Sequence, residues 1–289
     1  MAEDTDTDAD TVNIRQLWAQ TSAVLGSRHE ARWLCEEAVA LDGDEFECAL
    51  DEPVTQRMVA DLDAMLARYR SGEPLQYVLG RWSFRRLDLY IDRRVLIPRP
   101  ETELVAGAAI ELAAAKQGRR AVADLGTGSG AIGLSLAVEL PLAGTTVWIT
   151  DASEQALAVA RANLPGVGRA ARNVHVAAGE WFEALPPGEL FDVIVSNPPY
   201  VAEGSPDLEE SVADWEPQHA LLAGIDGLDA IREIVQRAPG HLSQGAWLVL
   251  EIGVDQGSAV RTLYEDSSFT DIEIRRDLAG HDRIALGMN

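Results

Sequence analysis

The chain has 289 residues, with 24 Lys+Arg against 47 Asp+Glu and a formal net charge of −23. Its 47% hydrophobic and 25% charged residues exclude a disordered acidic protein, and the length suggests about two domains, each with its own core. No apolar run approaches the roughly 18 residues of a membrane span, and the acidic start MAEDTDTDAD, without a basic or apolar stretch, argues against a secretory signal.

Residues 1–10 carry five acids and no base and read as a disordered acidic tail. Residues 11–73 have helical periodicity. Ile14, Leu17, Trp18, Val24 and Leu25 share one face; Ala31, Leu34, Cys35 and Ala38 mark a second helix; Val54, Met58, Leu62, Met65 and Tyr69 mark a third that begins at Glu52-Pro53. This predicts a small N-terminal helical domain. In residues 74–98, Leu87, Leu89 and Ile91 alternate with Asp88, Tyr90 and Asp92, which predicts a β-hairpin linker.

From residue 99 to 289 helices and strands alternate. A helix over Glu101–Lys116 precedes strands at Ala121–Leu125, Thr146–Thr150, Val174–Ala177, Phe191–Ser196 and Trp247–Ile252, with helices from Ala131 and at Ser153–Asn163, Asp229–Arg237 and Asp255–Glu265. Ile272–Ile274 and Arg283–Leu286 read as a closing antiparallel pair. The pattern predicts an α/β fold, a mostly parallel seven-stranded sheet covered on both faces.

The first βα turn reads Asp124-Leu125-Gly126-Thr127-Gly128-Ser129-Gly130, and Gly128 to Gly133 also matches GxGxxG, a weak signal by itself. Glycines there permit a tight turn and close approach of a ligand. The next strand ends at Asp151, whose carboxylate suits two ribose hydroxyls, present in both NAD and S-adenosylmethionine (SAM). Asp124, just before the first glycine, leans the choice to SAM, because a carboxylate repels a pyrophosphate and attracts a sulfonium or amino group. Trp181, after the following strand, offers a ring to flank adenine.

Asn197-Pro198-Pro199-Tyr200 follows the strand Phe191–Ser196, at the end where open α/β sheets bind ligands. The prolines lack N–H groups, so their carbonyls are free to accept; with the Asn197 side chain they can hold both hydrogens of an –NH₂ group, while Tyr200 offers a flat face. An amide nitrogen is a poor nucleophile because its lone pair is delocalised. Holding its hydrogens turns that lone pair toward a methyl donor. Asn197 and Pro198 are therefore the candidate catalytic pair.

With these motifs in place the chain resembles the release-factor glutamine methyltransferases (the PrmC/HemK family), class I SAM-dependent enzymes with a Rossmann-like domain. The resemblance rests on Arg28-His29-Glu30-Ala31, Pro74 to Gly80, Leu96-Ile97-Pro98-Arg99-Pro100-Glu101-Thr102-Glu103, Glu216-Pro217, Asp226 to Asp229, Leu250-Glu251-Ile252-Gly253, and Asp277 with Gly280 to Arg283. Ala223, where the family has a first glycine, and Glu180, where it often has Asp, depart from the pattern. The resemblance implies methyl transfer from SAM, leaving S-adenosylhomocysteine, to the side-chain amide of the Gly-Gly-Gln glutamine in class 1 peptide chain release factors. It implies a SAM site of Gly126, Thr127, Gly128, Ser129, Gly130, Asp151, Trp181 and Asn197, a glutamine pocket of Asn197, Pro198, Pro199 and Tyr200, and a helical domain over 11–73 that recognises the release factor.

Alternatives come from other classes. Asn-Pro-Pro-Tyr suits the amino group of adenine N6 equally, but a charge of −23, with basic residues gathered in no more than isolated pairs such as Arg85-Arg86 and Arg93-Arg94, argues against DNA or RNA. A dehydrogenase would bind NADH, and a non-catalytic binding module leaves Asp124, Asp151 and the glycines unexplained. Cys35 and Cys48 show no CxxC or nearby His cluster and read as buried apolar side chains in a reducing cytoplasm. The five histidines (His29, His175, His219, His241, His281) are scattered, so neither a metal nor a histidine catalyst is expected. Lys116 is the sole lysine; Arg-favouring base composition and a salt-adapted host both account for the charge balance. The expected protein is a cytoplasmic monomer.

Overall fold

A computed structural model describes residues 12–205 and 214–289; the predicted 1–10 tail lies outside the described residues. The chain divides into two compact units, Met1–Gly80 and Arg81–Asn289.

The described part of the first unit is helical: α1 Ile14–Leu25, α2 Arg28–Val39, α3 Gly43–Cys48, α4 Gln56–Arg70 and α5 Leu75–Leu79. Ile14, Leu17, Leu34, Cys35, Phe46 and Leu62 form its core. The Asn13 side chain accepts from the Gln16 amide and the Gln16 side chain accepts from the Asn13 amide, a reciprocal cap that starts α1. Four expectations are corrected here. Val24 is half exposed, because α1 is already near its Gly26 cap. Cys48, at the end of the short α3, is exposed. Helix α4 starts at Thr55, whose hydroxyl caps it, while Pro53 pairs in an isolated bridge with Asn13. Residues 75–79, read as linker, are α5, and its Leu75 and Val78 join the helical core. Arg68 holds this turn, bidentate to Glu73 and donating to the Tyr77 and Val78 carbonyls.

The second unit begins with a hairpin, β1 Arg81–Phe84 and β2 Leu87–Tyr90. Helix α6 Pro100–Ala115 follows, with proline at its first position. Then come β3 Arg120–Leu125, α7 Ala131–Glu139, β4 Thr145–Asp151, α8 Glu154–Asn163, β5 Val174–Ala178, β6 Phe191–Ser196, β7 Leu242–Glu251, β8 Thr270–Arg276 and β9 Asp282–Met288. The sheet has the order β5-β4-β3-β6-β7-β9-β8, parallel except for β9 against its two neighbours. The order reverses between β3 and β6, where the glycine loop and residue 197 leave neighbouring strand ends. Strand β7 begins five residues earlier than its apolar run, because Gly245 takes φ +74 and its amide bonds the Asn289 carbonyl.

Arg85 locks the hairpin to the helical layer. Its guanidinium grips Glu139 of α7 at 2.6 and 2.9 Å and donates to the Glu103 carbonyl of α6 at 2.8 Å. Both side chains are mostly buried. Among the described residues Arg85→Met leaves Glu139 with only the more distant Arg86, and we expect a loss of about 2–3 kcal/mol in urea unfolding. The double variant Arg85→Met/Glu139→Leu is expected to lose less than the single, since no buried charge is stranded; a larger loss contradicts this reading.

Candidate active site

The site is built where β3, β4 and β6 end. After Leu125 the chain turns through Gly126, Gly128 and Gly130, all with left-handed φ (+68, +56 and +89), a path that side-chain-bearing residues take only with strain. Asp124 holds the turn from beneath. Its Oδ2 accepts from the Thr127 hydroxyl at 2.5 Å and the Gly133 amide at 2.8 Å. It is buried, and burial pushes its carboxyl up to about 7. Asp124 does not line the cavity, so the expectation that its charge selects the ligand is corrected: it is a brace for the loop.

Asp151 does line the cavity. Its Oδ2 accepts from the Gly128 amide at 2.9 Å and its Oδ1 from the Ser153 amide at 2.8 Å, so the carboxylate is aimed by two backbone groups. Burial raises its pKa, opposed by those two amides and by the charge of His219. Ser153, not Asp151, caps α8. Each Asp151 oxygen retains a lone pair for a further donor.

Trp181 forms another wall. Its backbone φ is +44, unusual for a bulky residue, and a Cβ on Gly126 would lie 3.4 Å from its ring. Gly126, Thr127, Gly128 and Ser129 line the same cavity as Asp151 and Trp181; Gly130 does not, serving instead as the αL entry to α7.

At the end of β6, Asn197 and Pro199 line the cavity, whereas Pro198 is buried and is not among its lining residues, which does not fit the expected role of its carbonyl as an acceptor. The Asn197 amide nitrogen donates to Thr102 Oγ1 at 3.3 Å, which leaves its carbonyl oxygen as an acceptor. Tyr200 is not among the lining residues. It packs against the core, its hydroxyl 3.2 Å from Glu251 Oε1, and burial raises its pKa. The expectation of an open aromatic face is therefore corrected.

Residues without an assigned role also appear. Arg94, clamped by Asp92, and His219 line the cavity. Glu216, which is buried, accepts from the Ile97 amide at 3.1 Å and pairs with Arg99, tying the 97–99 segment to the cavity-lining Pro217. Glu216-Pro217 and Leu96 to Glu103 stand out as motifs, but no periodicity relates two segments so far apart in the chain. Among the described residues there is no group of three or more His, Cys, Asp or Glu able to hold a metal.

The residues present suit SAM. A buried, pre-aimed carboxylate with spare lone pairs matches a ribose diol, a glycine turn allows close backbone approach, and an aromatic wall matches a flat base.

The fold and cavity define a class: the Methyltransferase small domain family matches residues 103–213, and the PrmC N-terminal domain matches residues 16–80. A solved methyltransferase from Pyrococcus furiosus shares the fold, with a TM-score of 0.51, 18% identity, and coverage of 78% of this chain and 98% of that one. Release factor glutamine methyltransferase of Pseudomonas aeruginosa is 47% identical over 78% of this chain and 79% of its own. That of Vibrio cholerae is 42% identical over 82% and 81%. The chain belongs to the release factor glutamine methyltransferase family.

Proposed function

We propose that this protein transfers a methyl group from SAM to the side-chain amide nitrogen, N5, of the glutamine in the Gly-Gly-Gln motif of class 1 peptide chain release factors. The observation that carries the reading is that Asn197 lines the cavity shared by Asp151 and the glycine turn and that its amide nitrogen is held by Thr102, which leaves its carbonyl oxygen as an acceptor. It is an acceptor where a neutral –NH₂ group needs one, in a chain of this family.

Bound SAM supplies an electrophilic methyl group on a sulfonium. The chain's residues do the positioning. Asp151 accepts from ribose hydroxyls, the turn Gly126 to Gly130 lets the backbone approach, and Trp181 flanks the adenine. Asn197 Oδ1 accepts an N–H hydrogen of the glutamine, which holds its nitrogen lone pair toward the cavity, and the nitrogen gives up one hydrogen as a proton after the methyl group has transferred. Pro199 stiffens the backbone that carries this acceptor. Tyr200 supports it from the core side, and the helical unit over 11–73 recognises the release factor. The excess of acids disfavours a polyanion and suits a protein substrate. The reading places the enzyme in the cytoplasm as a monomer; among the described residues no helix is long and apolar enough to cross a membrane.

The test is labelled methyl transfer to purified release factor, to its Gln→Ala loop variant and to duplex DNA. Label is expected on the intact factor alone. Label on DNA would favour the adenine N6 alternative, and label on the Gln→Ala variant would remove glutamine as the acceptor.

A further inference from the structure

The strand next to the one that carries Asn197 ends in a buried carboxylate that the reading above leaves unused. Glu251 ends β7, next to the end of β6. Its side chain is sealed from solvent, Oε1 meets the Tyr200 hydroxyl, and Oε2 is buried without a completed hydrogen bond. Thr102, in the first turn of α6, is near enough for its hydroxyl to favour the charged carboxylate, and the same hydroxyl accepts from Asn197. Arg283 on β9 also favours the charge, and Glu101 opposes it.

We propose that Glu251 is a positioning residue that, through Thr102, sets which end of the Asn197 carboxamide faces the substrate. The inference rests on the function proposed above. A hydroxyl has one hydrogen and two lone pairs. When Glu251 is ionised it only accepts, so Thr102 gives it that hydrogen and keeps only lone pairs for Asn197. Only the Asn197 –NH₂ can then face Thr102, and its oxygen faces the cavity as the acceptor that a glutamine –NH₂ requires. A protonated Glu251 donates to Thr102 instead. The Thr102 hydrogen is freed for Asn197 Oδ1, the amide turns over, and an –NH₂ group confronts the substrate's own. The two ends of Asn-Pro-Pro-Tyr thus answer to one carboxyl group, reached directly by Tyr200 and through Thr102 by Asn197.

Burial pushes the Glu251 carboxyl up to about 7, so the relay switches within the working range of pH. The experiment is the pH profile of kcat for methylation of intact release factor by the full chain, compared with Glu251→Gln, Thr102→Val and Thr102→Ser. In the wild type kcat is expected to fall about tenfold from its plateau by one pH unit below 7. Glu251→Gln, unable to ionise, is expected to be about 10²-fold slower at the plateau and to lack this limb. Thr102→Ser is expected to keep both rate and limb. Thr102→Val, which leaves the carboxyl in place, is expected to lose both with an unchanged melting temperature and SAM affinity within about twofold. A wild-type limb surviving in Glu251→Gln, or a wild-type plateau in Thr102→Val, overturns the relay while methyl transfer to the factor still stands. No label on release factor from the wild type at pH 8 removes the function reading and the relay with it.

Discussion

Asn197→Ala is expected to leave a folded protein that still binds SAM but transfers methyl groups at least about 10²–10³-fold more slowly, the usual cost of removing one preorganised polar group from a reacting centre. The loss falls on the chemical step because the Asn197 oxygen is an acceptor for a nitrogen that is unreactive unless its hydrogens are held. Its amide nitrogen is already engaged by Thr102 at 3.3 Å, so the oxygen is oriented before any substrate arrives. Alanine removes the acceptor and leaves the cavity's other walls, Asp151, Trp181 and the glycine turn, in place. SAM affinity is expected to weaken modestly. Single-turnover transfer, a SAM titration and circular dichroism separate the outcomes. Transfer within tenfold of wild type in a folded variant would remove Asn197 from the proposed chemistry.

The glycine turn, Asp151 and the Asn-Pro-Pro-Tyr segment were legible because each depends on backbone constraints written locally: left-handed turns, prolines without N–H, a carboxylate at a strand end. The alternating pattern also disclosed the strands, since a sheet covered on both faces needs short, wholly apolar runs. Side-chain direction was not legible. Asp124 and Asp151 both flank the turn, yet only the hydrogen bonds to Thr127 and Gly133 turn Asp124 inward, and only those to Gly128 and Ser153 aim Asp151 at the cavity. Tyr200 turns to the core because a partner 51 residues later, Glu251, awaits its hydroxyl. The Asn197–Thr102 hydrogen bond joins residues 95 apart in the chain, and the Arg99–Glu216 pair spans 117. Periodicity carries no information about either. Helix α5 was missed for a different reason: five residues are too few to show a period.

Gly133→Ala is expected to cost about 3 kcal/mol and to lower the melting temperature by about 6–12 °C, with SAM affinity falling alongside. A Cβ at this position would lie 2.2 Å from Ile149 Cγ2, 3.0 Å from Asp124 Oδ2 and 3.2 Å from Asp124 Cβ. Ile149 is a fully buried side chain of β4 and has no free space to retreat into. Helix α7 must therefore lift from the sheet. That movement also breaks the Gly133 amide's bond to Asp124, the brace that holds Thr127, so the harm extends from packing to the turn. The third glycine of the GxGxxG match is thus required by helix–strand contact, and not by the ligand. A double-mutant cycle isolates the cause. Ile149→Ala removes Cγ2 and is itself destabilising, by about 2–5 kcal/mol. If the clash is the origin, the double variant Gly133→Ala/Ile149→Ala is more stable than the summed singles by at least about 1 kcal/mol. Losses that add to within about 0.5 kcal/mol would place the effect elsewhere, and a Gly133→Ala protein with wild-type stability would remove the close approach of α7 to β4 from the account of how this turn is held.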